Sequence, residues 1–172
     1  NRRDRRLAKK AARKGGASGI QVAPPDIQQR FQQAVSQFQA GNAAAETTLR
    51  GLEQDAPGIP EVSHLLGIVL LQTGRGTEAV SPLQYASRCM PRDPAPLNLL
   101  GVACQQAGDI DGAIAAFRKA LDRDRDFTDA HFNFANALRD AGHDAEAAEH
   151  FRETIRLEPG FADAHYNLAL VE

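Results

Sequence analysis

Tryptophan is absent from this chain, methionine occurs once, cysteine twice, and aromatic residues make up only 6% of 172 positions. Two cysteines, Cys89 and Cys104, are too few for a disulfide framework and lack the paired spacing of a zinc site. They read as small buried apolar residues in a reducing, cytoplasmic setting. With so few large rings, and with alanine the commonest residue, the core calls for closely packed helices rather than a β-sandwich. No window supplies the roughly 18 unbroken apolar residues that a spanning helix needs. A content of 42% hydrophobic and 24% charged residues excludes wholesale disorder.

A net charge of −2 conceals an asymmetry. Residues 1–25 hold eight basic side chains (Arg2, Arg3, Arg5, Arg6, Lys9, Lys10, Arg13 and Lys14) against Asp4, a net +7; the other 147 residues hold 12 basic and 21 acidic groups, a net −9. The stretch 1–14 reads as a disordered basic arm, with weak suggestions of a nucleic-acid or anionic-membrane contact. Leu7 is its one large apolar residue, and no aromatic ring stands among the cations to stack on bases. Residues 15–25 read as a flexible linker that ends at a helix cap, Asp26.

What organises the rest is a period of 34 residues. Gly67, Gly101, Ala135 and Ala169 share one phase, and Leu66, Leu100, Phe134 and Leu168 precede them. Ala45, Ala79, Ala113 and Ala147 form a further series, as do Leu49, Leu83, Phe117 and Phe151. Gly74, Gly108 and Gly142 recur in phase, and so do Pro57, Pro91 and Pro159, with Arg125 in the missing proline's place. Within each unit the apolar positions follow helical spacing. The glycine ends a first helix, and the proline stops a second. A single helix pair cannot bury its stripe alone, but a stack can. The expected fold is all-α, a right-handed α-solenoid over 26–172, with units 26–59, 60–93, 94–127, 128–161 and a partial 162–172. In the first unit Gly41 comes one residue late, which predicts a displaced first helix and a shorter turn. Pro82, inside a second helix, predicts a local bend.

No catalytic constellation emerges. A nucleophile, a base and an orienting group must converge, and in a solenoid this requires a shared phase. His131 and His165 share one and could face each other across a unit boundary, although packing between helices is the weightier reading. His143, Glu146 and His150 lie on one helix face, which reads as solvated surface. His64 has no partner in the sequence pattern. The expectation is a non-enzyme with no cofactor and no metal.

These Leu-Gly pairs, turn glycines, second-helix alanines and terminal prolines resemble the tetratricopeptide repeat family. That resemblance implies a superhelix whose first helices line a concave wall. The wall would present Asn98, Val102 and Gln105 from unit three, Phe132, Asn133, Asn136 and Arg139 from unit four, and Tyr166 and Asn167 from the fifth. Amide side chains both donate and accept, so a row of them suits the backbone of an extended peptide. Phe161 to Ala169 is similar to the repeats of O-linked N-acetylglucosamine transferases, where an inner asparagine ladder holds substrate polypeptides. Only Asn133 and Asn167 match that ladder; Leu65 and Leu99 stand at its position in the earlier units. The family's basic clamp for chaperone C-termini is not matched, because unit one offers Arg30 with Ala34 at the clamp asparagine. The expected partner is a protein or peptide in the groove. The alternatives are the substrate-presenting region of a larger glycosyltransferase- or sulfotransferase-type enzyme, and a self-assembling homo-oligomer.

Overall fold

The structure, a computed structural model, describes residues 19–172; the basic arm at 1–14 lies outside the described residues. All regular structure among them is helical. A single turn, α1 (Gly19–Val22), precedes α2 (Pro25–Gln39), α3 (Ala44–Asp55), α4 (Pro60–Gln72), α5 (Gly76–Cys89), α6 (Ala95–Gln106), α7 (Ile110–Arg123), α8 (Thr128–Asp140), α9 (Asp144–Leu157) and α10 (Ala162–Val171). Four helix pairs, α2–α9, are followed by the first helix of a fifth. Each helix packs on the next, and the first helices of neighbouring units touch as well (α2 with α4, α4 with α6, α6 with α8). Second helices do not approach one another to that extent, so the first helices form the inner layer of a right-handed solenoid.

The repeated residues account for the packing. Ala45, Ala79, Ala113 and Ala147 are buried, and Leu49, Leu83, Phe117 and Phe151 are fully enclosed. Glycine is required opposite two of these large side chains. A Cβ on Gly101 would lie 2.4 Å from Phe117 Cε1, and one on Gly67 the same distance from Leu83 Cγ. The core is aliphatic in the first two units and aromatic in the last two. Each intra-pair turn ends its helix in the same way. Gly142 takes φ +79°, its N–H bonds the Arg139 carbonyl at 2.9 Å, and the His143 N–H bonds the Leu138 carbonyl at 2.8 Å. Gly74 and Gly108 repeat this Schellman pattern.

Three local expectations need correction. The α2–α3 connection, 40–43, is one residue longer than 73–75, 107–109 and 141–143, not shorter. Asn42 Oδ1 accepts from the Ala44 N–H at 2.9 Å, which holds an additional residue ahead of α3. Residues 15–25 are not all linker: 19–22 form α1, and α2 begins at Pro25 with Asp26 in its first turn rather than as its cap. Proline's fixed φ suits that first helical position. Cys104 is buried, but Cys89 is exposed. Pro82 is the seventh residue of α5, which continues through it to Cys89.

Where unit three lacks its proline, α7 still ends at Arg123. The Arg123 guanidinium reaches back to the end of α5 and donates to the carbonyls of Ser87 at 3.1 Å, Met90 at 3.3 Å and Asp93 at 3.0 Å. Carbonyls at a helix C-terminus have no intrahelical donor, and this fork supplies one. Glu46, Arg50, Arg75 and Glu78 form a ring of ion pairs that joins the second helices of units one and two.

Candidate functional site on the inner wall

The nine residues expected on the wall fall on α6, α8 and α10, all first helices. Asn98 is 2% exposed; Val102, Gln105, Asn133, Asn136, Arg139 and Asn167 are half-buried, and Tyr166 is exposed. Phe132 is 8% exposed. Its ring packs on Phe161 at 4.8 Å and Phe151 at 5.9 Å, so it belongs more to the junction of α8, α9 and α10 than to an open surface.

The asparagines are brought together. Asn133 Nδ2 donates to Asn98 Oδ1 at 3.0 Å, and Asn167 Nδ2 to Asn136 Oδ1 at 3.0 Å. Asn136 Nδ2 in turn donates to the Phe132 carbonyl at 3.0 Å. Asn133 and Asn167, which share a phase, do not contact each other; each bridges to an asparagine one unit earlier. These bridges use one amide hydrogen of each donor, and the remaining N–H and carbonyl oxygen keep their capacity. Holding each side chain in one rotamer lowers the ordering cost when a ligand binds. At the lip of this stripe, Gln105 Nε2 lies 3.4 Å from Asp140 Oδ2, and Arg139 pairs with Asp140 at 3.6 Å. Leu65 and Leu99, at the ladder position of units two and three, are buried among other apolar side chains.

His131 and His165 do not face each other. Each bonds a carbonyl six residues back, His131 Nε2 with Arg125 at 2.8 Å and His165 Nε2 with Pro159 at 2.9 Å. The other nitrogen of His131 meets His150 Nδ1 at 2.9 Å, and the His150 ring packs on Phe134 at 4.5 Å. A carbonyl can only accept, so a neutral His131 carries its proton on Nε2, and His150 Nδ1–H is the donor within the pair. Burial, followed by the neighbouring His131, holds the His150 ring below the usual imidazole range, against the pull of Glu146, Glu149 and Glu153. Burial lowers His64 as well. A base whose affinity for protons is lower in the folded state costs stability as pH falls, once the unfolded chain begins to take up protons. Unfolding free energy is therefore expected to decline below about pH 6.5, the ordinary imidazole value. Denaturant titrations between pH 8 and 5 should show a shallower decline for His150→Gln; an identical slope would contradict this assignment.

Among the described residues, no three His, Cys, Asp or Glu side chains are placed to hold a metal ion, and no helix is long and apolar enough to cross a membrane. One pair of residues on the wall is not apparent from the sequence. His64 and Glu61, one turn apart on α4, each have a buried side-chain atom without a hydrogen-bond partner. Spacing could have pointed to His64, which shares its phase with Asn98, Phe132 and Tyr166.

The tetratricopeptide repeat profile matches residues 83–126, 98–160 and 132–172, which together span more than half of the chain. The chain is a tetratricopeptide repeat protein. Cellulose synthase 2 operon protein C of Komagataeibacter xylinus is 33% identical over 119 residues, or 68% of this chain. The chain spans only 9% of that relative's length. Among solved structures, MamA from Desulfovibrio magneticus RS-1 superposes with a TM-score of 0.74 at 22% identity, covering 93% of this chain and 96% of that one. YrrB, described as a TPR protein with an unusual peptide-binding site, gives a TM-score of 0.70 at 20% identity over 83% and 74% of the two chains. At such identities the likeness is one of fold.

Proposed function

We propose that this tetratricopeptide repeat protein is an interaction scaffold that holds an extended polypeptide segment along the inner wall of α6, α8 and α10. The observation that carries this reading is the pair of asparagine bridges, Asn98–Asn133 and Asn136–Asn167. They fix four amides in a stripe while leaving donors and acceptors of the kind a peptide backbone requires. Val102 and the exposed ring of Tyr166 add apolar area beside that stripe. Binding is an equilibrium on a preformed surface with no bond made or broken. YrrB, with the same fold, has a peptide-binding site, and this supports a similar use here.

The test is capture of partners by the full chain, compared with a chain carrying Asn133→Ala and Asn167→Ala, read by mass spectrometry. Each substitution removes the donor of one bridge and leaves its acceptor with room for water. Capture is expected to fall at least tenfold while helicity is kept. An unchanged set of captured proteins would contradict the groove reading, and lost helicity would show the bridges to be structural.

A further inference from the structure

Part of the chain itself packs beside the N-terminal end of α4, the first helix of unit two. α1 lies against the first turn of α4, where a methyl group on Gly19 would come within 3.1 Å of Pro60 Cδ and 3.3 Å of Glu61 Oε2. The attachment is slight. Ile20 and Ala23 pack partly against the aliphatic core, and Gln28 Nε2 donates to the carbonyls of Gln21 at 3.1 Å and Ala23 at 2.7 Å. At this end of α4 are the unpartnered atoms, Glu61 Oε2 and His64 Nε2. His64 is only 4% exposed. Buried polar atoms in folded proteins nearly always have partners, and the four residues of α1, Gly-Ile-Gln-Val, bring no cation to a carboxylate.

Two carboxylates bear on this cluster. Both the Glu61 and the Asp93 carboxylates act on the His64 ring. Asp93 is offset by the nearby guanidinium of Arg123, which bonds its main-chain carbonyl; Glu61 makes no ion pair among the described residues. His64 occupies in unit two the place that Asn98 holds in unit three, so the cluster continues the wall on which the asparagines lie. The missing complement is a positively charged donor, able to bond a carboxylate oxygen and to lie beside an imidazole nitrogen.

We propose that Glu61 and His64 form a subsite for a lysine or arginine side chain of the bound polypeptide, and that α1 is a strap over this subsite which the ligand displaces. The proposal rests on the groove reading above and adds to it the chemistry of one ligand position. A cationic residue would enter at unit two while the backbone continues along the asparagine stripe. A neutral ligand would leave α1 in place and use the C-terminal part of the wall alone.

The experiment uses the full chain and two labelled twelve-residue peptides in an extended Ser/Gly/Ala background, one with a central Lys and the other with Gln there. Binding is read by fluorescence anisotropy. The Lys peptide is expected to bind at least tenfold more tightly than the Gln peptide. Glu61→Gln, which keeps the side-chain shape, should remove that difference, with His64→Gln as a second variant should the first lose helicity by circular dichroism. Ile20→Asp, which loosens α1, should tighten the Lys peptide severalfold. Equal binding of the two peptides to the native chain, or a Lys preference that survives both Glu61→Gln and His64→Gln, would overturn the subsite. Failure of both peptides to bind the native and Ile20→Asp chains would overturn the groove reading and the subsite together. Asn133→Ala with Asn167→Ala separates the two ideas, since it should weaken both peptides alike and leave their ratio unchanged.

Discussion

Phe117→Ala is expected to destabilise the solenoid by about 3–5 kcal/mol, the range for a large ring truncated in a packed core. Phe117 is fully enclosed. Its ring sits where a side chain on residue 101 would otherwise be, and it also meets Phe134 of the next unit with centroids 6.4 Å apart. The truncation therefore opens a cavity within unit three and weakens its coupling to unit four. Neighbour coupling is what makes a stack of repeats unfold as one. The denaturation midpoint should fall, and the single transition should broaden or divide. A loss below about 1 kcal/mol, outside the usual range for such a truncation, would mean that the Gly101–Phe117 contact does not hold the unit together.

Arg123→Met comes next in size. Methionine keeps most of the apolar stem but removes the fork that serves three carbonyls, one in the last turn of α5 and two in the connection to α6. Hydrogen bonds from a charged donor are each worth more than neutral ones, and the stranded carbonyls add a desolvation cost. A loss of about 2–3 kcal/mol follows. Lysine should restore only part of it, because a compact ammonium cannot span the three acceptors as a planar guanidinium does. Urea unfolding of the three chains decides this. A Met variant as stable as the native chain would reduce Arg123 to a surface contact. The fork acts at the junction of units two and three, beside Pro91, and not at the end of unit three where Arg125 stands in the proline's place.

The fold was legible in the sequence because a 34-residue period places the same demand on the same position each time. A small residue at 67, 101 and 135 admits the large side chain at 83, 117 and 151, and this complementarity survives as a spacing. The inner wall was legible only as a face. Neighbouring first helices do not pair residue for residue at the repeat interval: Asn133 meets Asn98, 35 positions away, and Asn167 meets Asn136, 31 positions away. Both offsets stay on one helical face, displaced along it, and a strict reading of phase misses such a displacement. For the same reason His131 and His165, in phase, do not meet, while His131 finds His150 on the second helix of its own unit. α1 escaped notice because four residues carry no periodicity. Glu61 was passed over because nothing in a spacing shows that an atom will be enclosed without a partner.

The central claim, that a polypeptide lies along the asparagine stripe, is tested most directly by side-chain amide NMR. Nitrogen-15-labelled full chain would be titrated with an unlabelled extended peptide, following the Nδ2 resonances of Asn98, Asn133, Asn136 and Asn167. The resonances of Asn133, Asn136 and Asn167 should shift together along one binding curve, with smaller changes at the more deeply buried Asn98. Shifts confined to the second helices, with these amides unmoved at saturation, would contradict the account.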